Sequence, residues 1–137
     1  MDPSEAQRIF QTANCLREMG RYHEARDLLL QAIELYPDFT EFYYLLGNVC
    51  LDLGEVKGAE QAFLTCLEKG EGCSPGAVPG AGTFLAHYHL GLIYEMVGAE
   101  ERASLHYCQA ARYGHALAEL KAALMGRSCF RFPEGAG

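Results

Sequence analysis

Three histidines and a cysteine stand close together late in the chain, at His87, His89, His106 and Cys108. Imidazole and thiolate side chains of this kind hold zinc or move protons when they converge. Their spacing argues against it within any one helix. Side chains two residues apart on a helix point roughly 200° away from each other, so His87 and His89 cannot share an ion. His106 and Cys108 have the same defect, and His89 and His115 are free to be surface residues. No Cys-x-x-Cys pair seeds a zinc site, and no Ser/His/Asp spacing or pair of inward carboxylates suggests acyl or glycosyl transfer. The glycine-rich stretch 70–82 lacks the lysine and the strand-to-helix setting of a phosphate loop. These residues therefore predict no catalytic site, no metal and no cofactor.

The elements that would carry those side chains are helices. Glycine punctuation and helical periodicity place them at about 3–19, 22–36, 39–53, 56–69, 83–97 and 100–113, with a last amphipathic segment at 116–125. Asp2 and Pro3 suit a helix start. Gly20, Gly54 and Gly98 stand where the first helix of each pair must turn through positive φ. Pro37 ends the first pair, and Asp38 is a candidate cap for the next helix. The run Gly70-Glu-Gly-Cys-Ser-Pro-Gly-Ala-Val-Pro-Gly-Ala-Gly82 cannot hold a helix and forms an inserted loop. Residues 126–137 are expected to be a loose tail.

The helix pairs repeat. Met19-Gly-Arg-Tyr-His-Glu-Ala25, Leu53-Gly-Glu-Val-Lys-Gly-Ala59 and Val97-Gly-Ala-Glu-Glu-Arg-Ala103 share an apolar residue, a glycine and, after four residues, an alanine. Ala25 and Ala59 are 34 residues apart, while Ala103 follows Ala59 by 44, which leaves about ten residues for the insertion. Gly47 and Gly91 lie inside helices, where glycine costs about 1 kcal/mol relative to alanine. That cost implies close approach between the helices of a pair. Ala25, Ala59 and Ala103 serve the same contact from the other side. Phe63 and Tyr107 are expected to fill the gap towards the next pair.

This pattern resembles the tetratricopeptide repeat from residue 6 to residue 115. The motif positions are Tyr43, Leu46, Gly47, Cys50, Ala59, Phe63 and Cys66 in the second copy, and His87, Leu90, Gly91, Tyr94, Ala103, Tyr107 and Ala110 in the third. The first copy supplies Ile9, Thr12, Ala13, Leu16, Ala25, Leu29, Ala32 and Pro37. Ile9 and Thr12 depart from the usual residues, and Glu71 and His115 replace the closing proline of the second and third copies. The resemblance implies an all-α, right-handed superhelical stack of three helical hairpins with a C-terminal capping helix. It would be one solenoid domain over residues 1–125, with repeats at about 6–39, 40–73 and 84–117. Leu117, Leu120 and Leu124 of the last helix should cover the end of the stack.

In such a stack the first helices of the hairpins line a concave groove that takes a peptide or partner protein. The resemblance places Phe10, Tyr44 and Tyr88 in equivalent inner positions, then Asn14 and Asn48, then Arg17 and Glu95, with Gln11 and His89 beside the first row. Aromatic rings offer contact area at low entropic cost, and asparagine can both donate to and accept from a peptide backbone. Some members hold a chaperone's terminal carboxylate with Lys, Arg and Asn at these places. Asn14 fits, but Phe10, Leu85 and His89 occupy places that need a cation, so that ligand is not expected. The stretches Leu67-Glu-Lys-Gly-Glu71 and Val78–Gly98 also resemble the repeat region that follows the catalytic domain of bacterial family 2 glycosyltransferases. There the repeats would hold an acceptor protein or mediate dimerisation, and the catalytic domain would lie outside this chain. A third possibility is self-association through an uncovered end, giving a homodimer.

Bulk properties narrow the partners. The chain has 137 residues, of which 50% are hydrophobic and 21% charged, which suits a globular helical protein. Eleven basic residues are scattered among eighteen acidic ones, for a net charge of −7. A nucleic acid or an anionic membrane surface needs clustered cations and is not an expected partner. No apolar run approaches the ~20 residues of a membrane span. The first residues lack the basic and apolar regions of a secretion signal. A cytoplasmic location follows as the expectation, with the six cysteines reduced. Cys50 and Cys66 should be buried, and Cys73 and Cys129 the more exposed.

Overall fold

The computed structural model describes residues 3–71 and 78–126. It contains seven helices in those residues: α1 (Pro3–Glu18), α2 (Tyr22–Leu35), α3 (Thr40–Asp52), α4 (Val56–Lys69), α5 (Phe84–Met96), α6 (Glu100–Arg112) and α7 (Ala116–Leu124). No strand is present among the described residues. Each helix lies within one residue of the bounds expected from periodicity. Asp2, Cys73, Cys129 and the tail beyond Gly126 lie outside the described residues.

The turns inside the hairpins share one chemistry. Gly20, Gly54 and Gly98 have φ of 77°, 76° and 81°. At each, the residue after the glycine donates its N–H to the carbonyl five residues back, Arg21 to Leu16, Glu55 to Cys50 and Ala99 to Tyr94. The glycine itself donates to the carbonyl three residues back. This paired bonding satisfies carbonyls that a helix end leaves open. Gly114 repeats it between α6 and α7, with φ of 86°. The α2–α3 connection is different. Phe39, not Asp38, stands at the start of α3 and makes no side-chain cap, while Asp38 accepts from Lys69 at 3.2 Å.

The chain divides into two compact units, Met1–Gly82 and Thr83–Gly137. In the first, the hairpins α1/α2 and α3/α4 pack through α2 on α3, with α1 also touching α3. Ala6, Ala13, Ala25, Leu29, Ala32, Phe42, Leu45 and Val49 form the buried cluster. In the second, α5 pairs with α6 and α7 packs on α6.

Small residues set the closest approaches. Ala25, Ala59 and Ala103 are each fully buried. A Cβ added to Gly47 would lie 2.6 Å from Phe63 Cζ, and one added to Gly91 would lie 2.5 Å from Tyr107 Cε1. Phe63 and Tyr107, both fully buried, thus lie over the glycine of their own hairpin. The close approach that justifies a mid-helix glycine is that of a ring to a backbone.

The inserted stretch is closed on itself by Glu71 and tied to α3 by Glu41 and Thr40. Glu71 accepts from the N–H of Gly80 at 2.7 Å and of Gly82 at 2.8 Å. Glu41, only 2% exposed, accepts from Val78 N–H at 3.0 Å. Thr40 donates to the Gly70 carbonyl at 2.8 Å. Gly82 lies so close to Gly70 that a side chain there would meet the Gly70 carbonyl at 2.2 Å.

Two expectations are corrected. Leu117, Leu120 and Leu124 are not the residues that α7 buries. They are 57%, 56% and 76% exposed, and the buried residues of α7 are Ala118 and Ala122. Four-residue spacing puts the two alanines on one face, and their small size lets α7 approach α6 closely. The cysteines are not all thiols either. Cys15, Cys50 and Cys66 are free, whereas Cys108 is disulfide-bonded. Burial pushes the Cys66 thiol up to about 12, helped by the nearby Glu41 carboxylate, so it stays protonated and inert.

Candidate functional site

In the first unit the inner positions of α1 and α3 are neither core nor fully exposed. Phe10, Asn14, Arg17, Tyr44 and Asn48 are half-buried, and Gln11 is exposed. Phe10 leans on the buried cluster. Tyr44 meets Phe63 edge to face, with ring centroids 5.9 Å apart. Burial raises the Tyr44 phenol above its usual range, and a hydrogen bond with Asn48 opposes the rise. The amides bond locally: Asn14 donates to Glu18 at 3.1 Å and Asn48 to the Tyr44 carbonyl at 3.3 Å. Arg17 reaches from α1 to the end of α3 and forks onto Asp52, with nitrogen–oxygen distances of 2.5 and 3.4 Å. It joins the two first helices of this unit.

In the second unit the same rows are engaged in packing. Tyr88 stacks at 4.5 Å from the His115 ring and lies 5.9 Å from Tyr107 and 5.7 Å from His89. His115 also caps α7, accepting from Ala118 N–H at 3.1 Å. Glu95 accepts from the Tyr107 hydroxyl at 2.6 Å and from Lys121 at 3.2 Å. These two donors, Tyr107 first, hold the Glu95 carboxyl below its ordinary value. Burial and the Glu95 carboxylate together raise the Tyr107 phenol. Glu95 therefore links the centre of the hairpin to α7.

The second unit also contains a pairing that single-helix spacing does not reveal. His87 of α5 and His106 of α6 face each other with their Nδ1 atoms 3.0 Å apart. The rings are 5.2 Å apart and tilted by 33°. On its other side, His106 stacks on Tyr94 at 5.3 Å, and the Arg102 guanidinium lies over the Tyr94 ring at 4.7 Å. The result is a column of Arg102, Tyr94, His106 and His87. Burial, then the neighbouring His106, lowers His87 to about 4. Burial, then Arg102, lowers His106. Both imidazoles are neutral at pH 7, and one donates to the other. The repeat register offers a signal for this pair. Tyr43 and Ala62 occupy the same two places in the second copy, and Ile9 and Leu28 in the first.

No group of three or more His, Cys, Asp or Glu side chains that could hold a metal exists among the described residues. No described helix is long and apolar enough to cross a membrane.

Comparison with known families agrees with this geometry. Residues 3–76 match the family model described as the tetratricopeptide repeat. The match includes Leu67–Glu71 and ends before Val78–Gly98, the two stretches that resemble glycosyltransferase repeat regions. No curated protein matches the chain. Repeats of this kind generally mediate protein–protein interaction. With helical hairpins, glycine-closed turns and a family match over more than half of its length, the chain belongs to the tetratricopeptide-repeat family.

Proposed function

We propose that this protein is a non-catalytic scaffold that holds an extended peptide, or a peptide-like segment of a partner protein, on the α1/α3 face of its first unit. Phe10 and Tyr44 supply apolar contact, and Gln11, Asn14 and Asn48 supply amides for the peptide backbone. The observation that carries this reading is the half-burial of Asn14 and Asn48 with only local bonds to α1 and α3. A peptide amide can displace a 3.3 Å bond within a helix at small cost, because it offers a better-aligned one. Arg17 and Asp52 support the reading by joining the two helices that form the face. In the second unit Tyr88, His89 and Glu95 serve the hairpin and α7, so the peptide face rests on α1 and α3.

A displayed library of random peptides, selected on the full chain, tests this. Selected peptides should lose binding to Tyr44→Ala/Asn48→Ala by at least tenfold while helicity stays intact. Undiminished binding of every selected peptide by that variant removes the α1/α3 face as the site.

A further inference from the structure

We propose that Cys108 of α6 is disulfide-bonded to Cys129, and that this bond is a redox-controlled staple holding α7 against α6. The staple belongs to the second unit and does not rest on the α1/α3 face. Cys108 is disulfide-bonded, while Cys15, Cys50 and Cys66 are free. The chain has six cysteines, so the partner of Cys108 is Cys73 or Cys129. Cys129 belongs to the same unit as Cys108. Cys73 belongs to the other, in a stretch whose flanks are bonded there, Glu71 to Gly80 and Gly82 and Val78 to Glu41.

Reach agrees with this choice. Met125, just past the end of α7, lines one cleft with Glu100, Glu101 and Ser104 at the start of α6. Ser104 and Cys108 stand four residues apart on one face of α6, about 6 Å along the helix. Gly126, with φ of 76°, turns the chain out of α7. The three residues 127–129 then span up to about 10 Å. A disulfide needs its Cα atoms only within roughly 4.4–6.8 Å, so this length of chain suffices.

The tether matters because α7 is lightly held. It buries Ala118 and Ala122 and leaves its three leucines outside, with the bond from Lys121 to Glu95 as a further link. The disulfide closes a loop of about twenty residues that contains the whole of α7, which restrains the helix from leaving α6. Closure by exchange with oxidised glutathione converts two protein thiols and one glutathione disulfide into the protein disulfide and two reduced glutathiones. Reduction reverses the exchange and frees α7 to open.

Peptide mapping tests the pairing. The full chain is equilibrated with oxidised glutathione, alkylated, digested without reduction and read by mass spectrometry. The peptide carrying Cys108 should be linked to the one carrying Cys129, and the link should persist in Cys73→Ser. Amide hydrogen exchange in α7 should be roughly tenfold faster after reduction and in Cys129→Ser, with exchange in α5 unchanged. A link from Cys108 to Cys73, a Cys108 thiol open to alkylation, or glutathione on Cys108 in the parent chain overturns the proposal. Equal α7 exchange in the oxidised and reduced parent chain also overturns it, and that comparison needs no variant.

Discussion

The hairpins α3/α4 and α5/α6 share a backbone plan and differ in what fills it. In each, an aromatic ring from the second helix covers a glycine in the first, Phe63 over Gly47 and Tyr107 over Gly91. In the earlier hairpin that layer is apolar. Leu51 stands at the place of Glu95, and Cys50, Gly58 and Ala62 stand at the places of Tyr94, Arg102 and His106. In the later hairpin the ring carries a hydroxyl bonded to Glu95, and the small residues become a stacked column of aromatic and cationic groups. One backbone geometry thus supports a dry, small-residue interior and a polar, titratable one. The difference lies in whether each polar atom finds a partner, since an unpaired buried hydroxyl is costly.

The largest effects should come from removing the shared ring. Phe63→Ala and Tyr107→Ala should each destabilise by about 3–5 kcal/mol, because both rings are fully buried. Urea unfolding followed by helicity measures this. A cost confined to one of them would show that the two hairpins do not use the same device. Filling the gap from the other side comes next. Gly91→Ala and Ala59→Leu should each cost about 1–3 kcal/mol through overpacking, and an unchanged urea midpoint in either would contradict the packing described.

Acid distinguishes the later hairpin. The unfolded chain takes up a proton on His87 near its ordinary value of 6.5, whereas the folded chain resists until about 4. Between those values the unfolded state binds more protons, so stability is full above about pH 6.5 and is lost as pH falls towards 4. His87→Gln should flatten the melting temperature over that window. A parent chain whose melting temperature is level from pH 6.5 to 4.5 would remove the claim. The smallest test exchanges the rings' polarity. Tyr107→Phe should cost about 1 kcal/mol by losing the Glu95 bond, a modest figure because Glu95 is well exposed. Phe63→Tyr should cost somewhat more, since Leu51 offers its hydroxyl no acceptor.

Local signals made most of the fold legible. A glycine that needs positive φ and a bond across it to the carbonyl five residues back, as at Gly54, is a property of adjacent residues, and the repeat shows it three times. Ala59 and Gly47 are legible for a similar reason: each is small where helix propensity or burial would favour something larger. The orientation of α7 was less legible. Its leucines suggest the buried side, but Ala118 and Ala122 pack because closeness to α6 outweighs the area a leucine would bury at greater distance. Asp38 looked like a cap, yet Lys69, 31 residues away, takes its carboxylate. Phe10, Asn14, Tyr44 and Asn48 were placed by repeat register, and their local bonds were not readable, because they depend on rotamers chosen by neighbouring side chains.

By itself, the sequence determined the helices, their turns and the repeat register, since each follows from periodicity and from residues with special backbone freedom. Only the tertiary structure decided that His87 meets His106, that Glu95 joins Tyr107 to Lys121, and that Glu71 and Glu41 hold the inserted stretch. Those pairings set polar atoms from different helices and loops about 3 Å apart. Distances of that kind come from how elements pack, which no spacing along one helix contains.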